Sequence, residues 1–244
     1  MRASRLLYDR ISAKFWFCPH VFYTFSYAFE IIMKLYSYFR SSASFRVRIV
    51  LNLKQLPYDT VAVHLVKNGG EQHAPDYLER NPMGVVPSLE NEAGSLTQST
   101  AICEYINELH PEPPLLPADL YERAWVRSVC NVVACDIHPV NNLRILNYIT
   151  KTLGHDEIQK MDWYRHWISQ GFVALENLLK QKAGRFCWGD TVTMADAFVI
   201  PQIWNALRFN CAMDDYPTLR RVYDNAMLLP AFEQAAPAAQ PDAE

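Results

Sequence analysis

Hydrophobic positions in this chain change their period about halfway along. From Lys34 to Phe39 they alternate as in a short strand, and from Ser44 to Gln55 they recur with helical spacing. Alternation returns from Tyr58 to Val63, after Pro57, so the stretch predicts a βαβ unit. Past Asn68-Gly69-Gly70 a short helical stretch covers Ala74 to Glu79. Two brief strands, Pro87 to Glu90 and Ser95 to Thr97, flank the turn Asn91-Glu92-Ala93-Gly94 and read as a hairpin, with a helix from Ser99 to His110 behind them. A βαβ unit followed by ββα predicts a thioredoxin-like α/β domain over residues 33–112. The proline-rich run "PEPPLLPADL" from Pro111 to Leu120 has the composition of a stiff linker, which we place at 113–120. Beyond it the strand signals stop. Tyr121 to Leu146, Asp156 to Lys182, Thr193 to Phe209 and Thr218 to Leu229 all carry helical periodicity, so residues 121–234 predict an α-helical domain. The closing "AAPAAQPDAE", residues 235–244, offers little to bury and is expected to fray.

Composition narrows the class. Half of the 244 residues are apolar, enough for a sizeable core, and a formal net charge of −3 gives no basic field of the kind nucleic-acid binders carry. Six cysteines are scattered without a C-x-x-C pair or histidines at zinc spacing, which argues against a disulfide scaffold or a metal site and for a reducing, cytoplasmic setting. Residues 1–32 are basic at Arg2, Arg5, Arg10 and Lys14 and then strongly aromatic. Cys18-Pro19-His20 interrupts that apolar run before the roughly 20 residues a membrane span requires, so no membrane association is expected. Met33 directly precedes the first clean strand, and we expect the extension to lie outside the fold and to reflect an upstream start codon.

Candidate chemistry is sparse. No spacing gives a Ser-His-Asp triad, a phosphate loop or a paired-carboxylate site, and the thioredoxin-like half lacks its usual C-x-x-C. Three serines crowd the turn of "YSYFRSSASFRVRIVLNLK" ahead of a helix committed to a core through Val47, Ile49, Val50, Leu51 and Leu53. One serine would cap that helix, whereas hydroxyls plus free N–H groups at the positive end of a helix dipole suit an anion such as a thiolate; the local residues leave both readings open. Pro87 at the start of a strand is either an ordinary edge proline or, if cis, one that frees the main chain of Val86 to pair with an extended peptide. Gln98 and Ser99 open a helix that Ser99 caps or at which it takes a carboxylate. Thr193 and Asp196 form a capping box, so Asp196 is read as structural. Taken together, a peptide-pairing edge, a carboxylate pocket and a thiolate-stabilising turn describe a small acidic thiol peptide, and glutathione fits.

The segments "SSASFRVRIVL", "NPMGVVPSL", "QSTAICEYI", "RFCWGDTVTMADAFVIPQ" and "LRF" appear in the order seen in zeta-class glutathione transferases, the maleylacetoacetate isomerases, and the chain resembles that family from Met33 to about Phe232. The resemblance implies a homodimeric, glutathione-dependent isomerase converting maleylacetoacetate to fumarylacetoacetate in tyrosine and phenylalanine breakdown. Maleylpyruvate isomerisation, general conjugation and a non-catalytic glutathione-fold module are the alternatives. Carried over, it implies that Ser41, with Ser42 behind it, stabilises the glutathione thiolate, and that Arg208 meets a substrate carboxylate with Arg40 as a further cation. Gln72, Val86 and Pro87 would hold the peptide backbone and Gln98 with Ser99 its γ-glutamyl end, while His138, Asn142 and Arg144 would face the cleft from the helical domain. Two positions depart from the pattern: His138 replaces a glutamine seen in some members, and Ala43 stands where the signature usually has cysteine, which removes thiol-transfer chemistry without removing isomerisation.

Overall fold

The computed structural model describes residues 33–244, so the expectation about the extension falls outside the described residues. Strands β1 (Met33–Ser37) and β2 (Tyr58–Ala62) run parallel, joined by α1 (Ser42–Leu53). On the other side of β1 lies β3 (Ser88–Asn91), antiparallel, and β3 pairs with β4 (Gly94–Thr97) through the expected hairpin, giving the order β2-β1-β3-β4. Between β2 and β3 sits the short α2 (Pro75–Arg80), and α3 (Ser99–Leu109) follows β4. The helical half contains α4 (Leu120–Asn131), α5 (His138–Asn141), α6 (Leu143–Lys151), α7 (Glu157–Leu179), α8 (Met194–Arg208), α9 (Pro217–Ala226) and α10 (Pro230–Glu233). A thioredoxin-like layer followed by an α-helical bundle is the architecture the periodicity implies.

Helix α1 joins the two halves of the described residues. It packs against α3 within its own layer and against α8 of the helical half, and every residue from Ser42 to Leu51 is buried. A helix buried on every side should be apolar on every side, yet Arg46 and Arg48 interrupt this one. Arg48 donates to the carbonyls of Ala235 and Phe39 and to Ser37 Oγ, while Arg46 donates to Ser99 Oγ and lies 4.8 Å from the Phe198 ring centre. Burial pulls both guanidinium groups down to about 10, so both remain cationic at neutral pH. The linker is held in a comparable way: Lys54 Nζ donates to Asn107 Oδ1 and to the carbonyls of His110, Pro111 and Pro113.

Two expectations are corrected. The predicted helix from Tyr121 to Leu146 is broken into α4, a π-helical turn at Val132–Ile137, α5 and α6. Pro139 has no N–H to continue the ladder, and Asn142 restarts it by accepting from Ile145 N at 3.2 Å as the cap of α6. The stretch expected to fray is docked instead: Ala235 is fully buried, its carbonyl takes Arg48 Nε at 2.8 Å, and Gln240 Nε2 donates to the carbonyls of Gln234 and Ala236. The segment is poor in large apolar groups but binds through its backbone, which composition does not register. The Thr193–Asp196 capping box forms as read, with fully buried Asp196 also accepting from Cys187 N at 2.8 Å.

Candidate functional site

Strand register brings the separated motifs to one end of the sheet. Tyr36 of β1 is opposite Ser88 of β3, and Ser88 is opposite Thr97 of β4, so one row crosses three strands. Just beyond that row lie the Phe39–Ser42 turn, the Val86–Pro87 step and the Gln98–Ser99 helix start. The loop after β2 leaves from the same end, because β1 and β2 are parallel and Val63 N–H donates to Ser37 O at 2.8 Å; that loop carries Gln72. A small hydrophobic cluster of Tyr36, Tyr38, Phe39, Val63, Tyr77 and Val86 packs at this end.

Ser41 takes the capping role the sequence offered, and its geometry leaves room for the other reading. It is the N-cap of α1, and its Oγ accepts from Ser44 N–H at 3.2 Å. That bond uses an oxygen lone pair and leaves the hydroxyl proton free to donate. Among the described residues the N–H groups of Ser42 and Ala43, in the first turn, have no partner, so the turn offers donors at the positive end of a helix dipole. Ala43 is buried there.

Val86–Pro87 is a cis peptide bond. The side chain of Val86 is buried, but its N–H and C=O have no partner among the described residues, while the preceding carbonyl, of Val85, accepts from both Tyr77 Oη at 2.7 Å and Asn81 Nδ2 at 2.6 Å. A held loop presenting one free donor and one free acceptor is a ready edge for an extended peptide. Gln98 sits at φ +69°, in the left-handed region that costs a non-glycine residue conformational energy, and α3 behind it has no side-chain cap. Ser99 is buried and its Oγ takes a bond from Arg46 Nη1 at 3.1 Å, so its own proton points elsewhere. Gln72 is buried too; its Nε2 donates to Leu65 O at 3.4 Å, and its Oε1 is left without a partner among the described residues. Gly70, at φ +100°, lets that amide fold back, since a Cβ there would come within 2.6 Å of Gln72 Nε2. Orphaned acceptors, free helix-start donors and an unpaired strand edge fit a peptide carrying carboxylates.

The helical half contributes charge. Arg208, the last residue of α8, stacks on Phe209 with its Cζ 4.8 Å from the ring centre; burial, and then the like charge of Arg40, lower its pKa. Tyr38 feels both Arg40 and Arg208, so the end of α8 stands beside the serine turn. Neither arginine has a carboxylate partner among the described residues. His138 is partly exposed at the start of α5, and desolvation followed by the charges of Arg46 and Arg144 pushes it down to about 3, so it is neutral at physiological pH. Arg144 is exposed on α6, and the side chain of Asn142 is engaged in capping. The residue that motif reading overlooked is Arg46. Its signal was present in the sequence: two arginines within a run of Val, Ile and Leu, with no acidic residue four positions away to pair with them.

Comparison with known proteins agrees with this geometry. Residues 35–114 match the family described as glutathione S-transferase, N-terminal domain, and residues 144–234 match its C-terminal domain. A probable maleylacetoacetate isomerase of Vibrio cholerae is 48% identical over 209 residues, which is 86% of this chain and 97% of that protein. The holo structure of a maleylpyruvate isomerase, described as a bacterial zeta-class glutathione S-transferase, superposes with a TM-score of 0.84 at 47% identity, over 86% of this chain and all of that one. A maleylacetoacetate isomerase of Anaeromyxobacter dehalogenans with glutathione in its active site gives 0.79 at 42% identity, over 88% and 99%. With both halves matched and the relatives spanned almost end to end, this chain belongs to the glutathione transferase family, in its zeta-class, maleylacetoacetate isomerase branch.

Proposed function

We infer that this protein is a glutathione-dependent cis–trans isomerase of small unsaturated diacids, converting maleylacetoacetate to fumarylacetoacetate in tyrosine and phenylalanine breakdown as a cytoplasmic homodimer. One observation supports the substrate class: Arg40 and Arg208, two cations without carboxylate partners among the described residues, stand at a turn whose free donors suit a thiolate. Glutathione supplies a nucleophilic thiolate whose reversible addition to the conjugated double bond allows rotation about it. The chain's own residues do the rest. Val86 offers its free N–H and C=O to the peptide, Gln72 its unpartnered amide oxygen, and Ser99 with Gln98 and the open start of α3 the γ-glutamyl carboxylate site, Arg46 lending positive charge from below. His138, Asn142 and Arg144 close the cleft from the helical side.

Ser41 would donate a hydrogen bond from its hydroxyl to the sulfur and so favour the thiolate. A free thiol with a pKa near 8.5 is only a few per cent thiolate at neutral pH, and a hydroxyl donor at a helix start lowers that pKa by roughly one to two units. Arg208 and Arg40 hold the diacid and offset charge that develops on its oxygens. Position 43, where the family signature usually has cysteine, is alanine, and this addition–elimination route requires no protein thiol there.

Maleylpyruvate is the second reading, supported by a solved maleylpyruvate isomerase as similar to this chain as the acetoacetate relative. Following loss of each cis diacid with and without glutathione tests both. Turnover of neither, or turnover independent of glutathione, removes the proposal, and a rate with an aryl halide exceeding both diacids favours a general transferase.

A further inference from the structure

We propose that Asp242 is a positioning residue for this site: through the main chain of Phe39 it sets the turn that carries Arg40 and Ser41. The inference rests on the isomerase reading for its kinetic consequence but on the geometry alone for its mechanism.

Phe39 is buried and both its backbone polar groups are held from outside the sheet. Its N–H donates to Asp242 Oδ2 at 3.0 Å, and its C=O accepts from Arg48 Nη2 at 3.1 Å. The two grips are linked, because the same Arg48 binds Ala235 O through Nε at 2.8 Å and Ser37 Oγ through Nη1 at 3.0 Å. The 235–242 segment is thus attached to the serine turn twice, once by its own carboxylate and once through a buried arginine. The turn closes immediately afterwards, with Ser41 N–H donating to Tyr38 O at 2.9 Å. A change in the direction of Phe39 is therefore carried one residue to the Arg40 guanidinium and two to the Ser41 hydroxyl.

The other oxygen of Asp242, Oδ1, is enclosed and has no hydrogen-bond partner among the described residues. Two residues on, Glu244 forms an ion pair with Lys67, on the loop that leads to Gln72, and lies 3.7 Å from His64 Nε2. That contact is exposed, and exposed ion pairs contribute little. Removing Asp242, by contrast, orphans a buried N–H, which the turn can satisfy only by moving.

Full-length variants Asp242→Ala, Asp242→Asn, Asp242→Glu and Glu244→Ala discriminate the idea, read by diacid kcat and KM, by the ultraviolet titration of the thiolate in the glutathione complex, and by melting temperature. Alanine is expected to lower kcat/KM for the diacid about tenfold and to move the thiolate titration to higher pH, with glutathione affinity changed by no more than about threefold. Asparagine keeps an acceptor in place and should stay within about twofold of wild type, whereas glutamate keeps the charge but displaces the acceptor by a methylene and should resemble alanine. Glu244→Ala should behave as wild type. Wild-type behaviour of Asp242→Ala, equal damage by asparagine and alanine, or equal damage by Glu244→Ala would each overturn the proposal. If the alanine chain does not fold, the order of asparagine above glutamate still decides it. The thiolate titration needs no diacid, so a shift in Asp242→Ala sustains the positioning role even if the wild-type enzyme turned over neither diacid.

Discussion

Replacing Arg208 by alanine separates recognition of a diacid from general thiol activation. In the free protein Arg208 ends α8 with Phe209 beneath it and the like charge of Arg40 nearby, and both burial and that charge already lower its pKa. An arginine placed against another cation without a carboxylate partner gains little from the folded state, so its loss should leave the melting temperature unchanged or slightly higher. Bound diacid reverses the balance. A charge pair about 4 Å apart is worth roughly 4 kcal/mol at an effective dielectric constant near 20, before desolvation is subtracted. Hydrogen bonds to charged groups retain about 1.5 to 3 kcal/mol after that subtraction, so KM for the diacid should rise by about ten- to a hundredfold. A neutral alkyl or aryl halide has no carboxylate to lose, and its rate should barely change. Lysine should recover only part of the loss, because a point charge does not reproduce the planar fork. The assay is initial-rate kinetics on both substrate types with one preparation of each variant. Equal damage to charged and neutral substrates would mean that Arg208 supports the fold and not the substrate, and the argument from the paired arginines would fail.

Three further outcomes follow from the site. Ser41→Ala should lower kcat/KM for the diacid by about a hundredfold while glutathione affinity changes much less, since a thiolate donor is lost; a near-wild-type rate would show that another group activates the sulfur. Ala43→Cys should keep isomerase activity within a few-fold, of order 1 kcal/mol or less, and yield a glutathione mixed disulfide detectable by mass, whereas no adduct would mean that position 43 does not face the sulfur. His138 is held at about 3 in the native state against its ordinary 6.5, so the unfolded chain binds the extra proton first, and this residue should make stability fall as pH drops below about 6.5, by up to about 1.4 kcal/mol per pH unit before partial exposure discounts it. Urea midpoints of His138→Gln should therefore fall less steeply than wild type between pH 7 and pH 5 (~2 pH units); identical slopes would contradict the native-state shift.

Much of this was legible in the sequence because the signals were local. The βαβ and ββα periodicities, the Asn-Glu-Ala-Gly turn and the Thr193–Asp196 capping box each depend on residues within a few positions of one another, and each forms where it was read. The periodicity starts α1 two residues late because Ser42 is polar and Ala43 too small to mark an apolar face, yet both already belong to the helix that Ser41 caps. Periodicity continues across Pro139 and hides the π-helical turn that precedes it. What the sequence concealed were interactions between distant residues. Arg48 and Ala235 are 187 positions apart, and Phe39 and Asp242 are 203 apart.

Those long-range contacts also explain why a tail judged by its composition was misread. Composition measures what a segment can bury, and Ala-Ala-Pro-Ala-Ala-Gln-Pro-Asp buries almost nothing large. A segment can also be ordered by supplying acceptors to donors that the core leaves unmatched. Here the core has such donors: α1 needs Arg48 within an apolar environment, and a buried guanidinium with five N–H groups must find oxygen. Ser37 and Phe39 supply two acceptors and Ala235 a third. The two arginines in "SFRVRIVL" are therefore as informative as the serines before them, since Arg46 reaches the start of α3 through Ser99 and Arg48 reaches the turn through Phe39. Both ends of the proposed glutathione site are reached from a single helix, so α1 would not only present its N-terminus to the thiolate but also hold in place the groups that would bind the rest of the peptide.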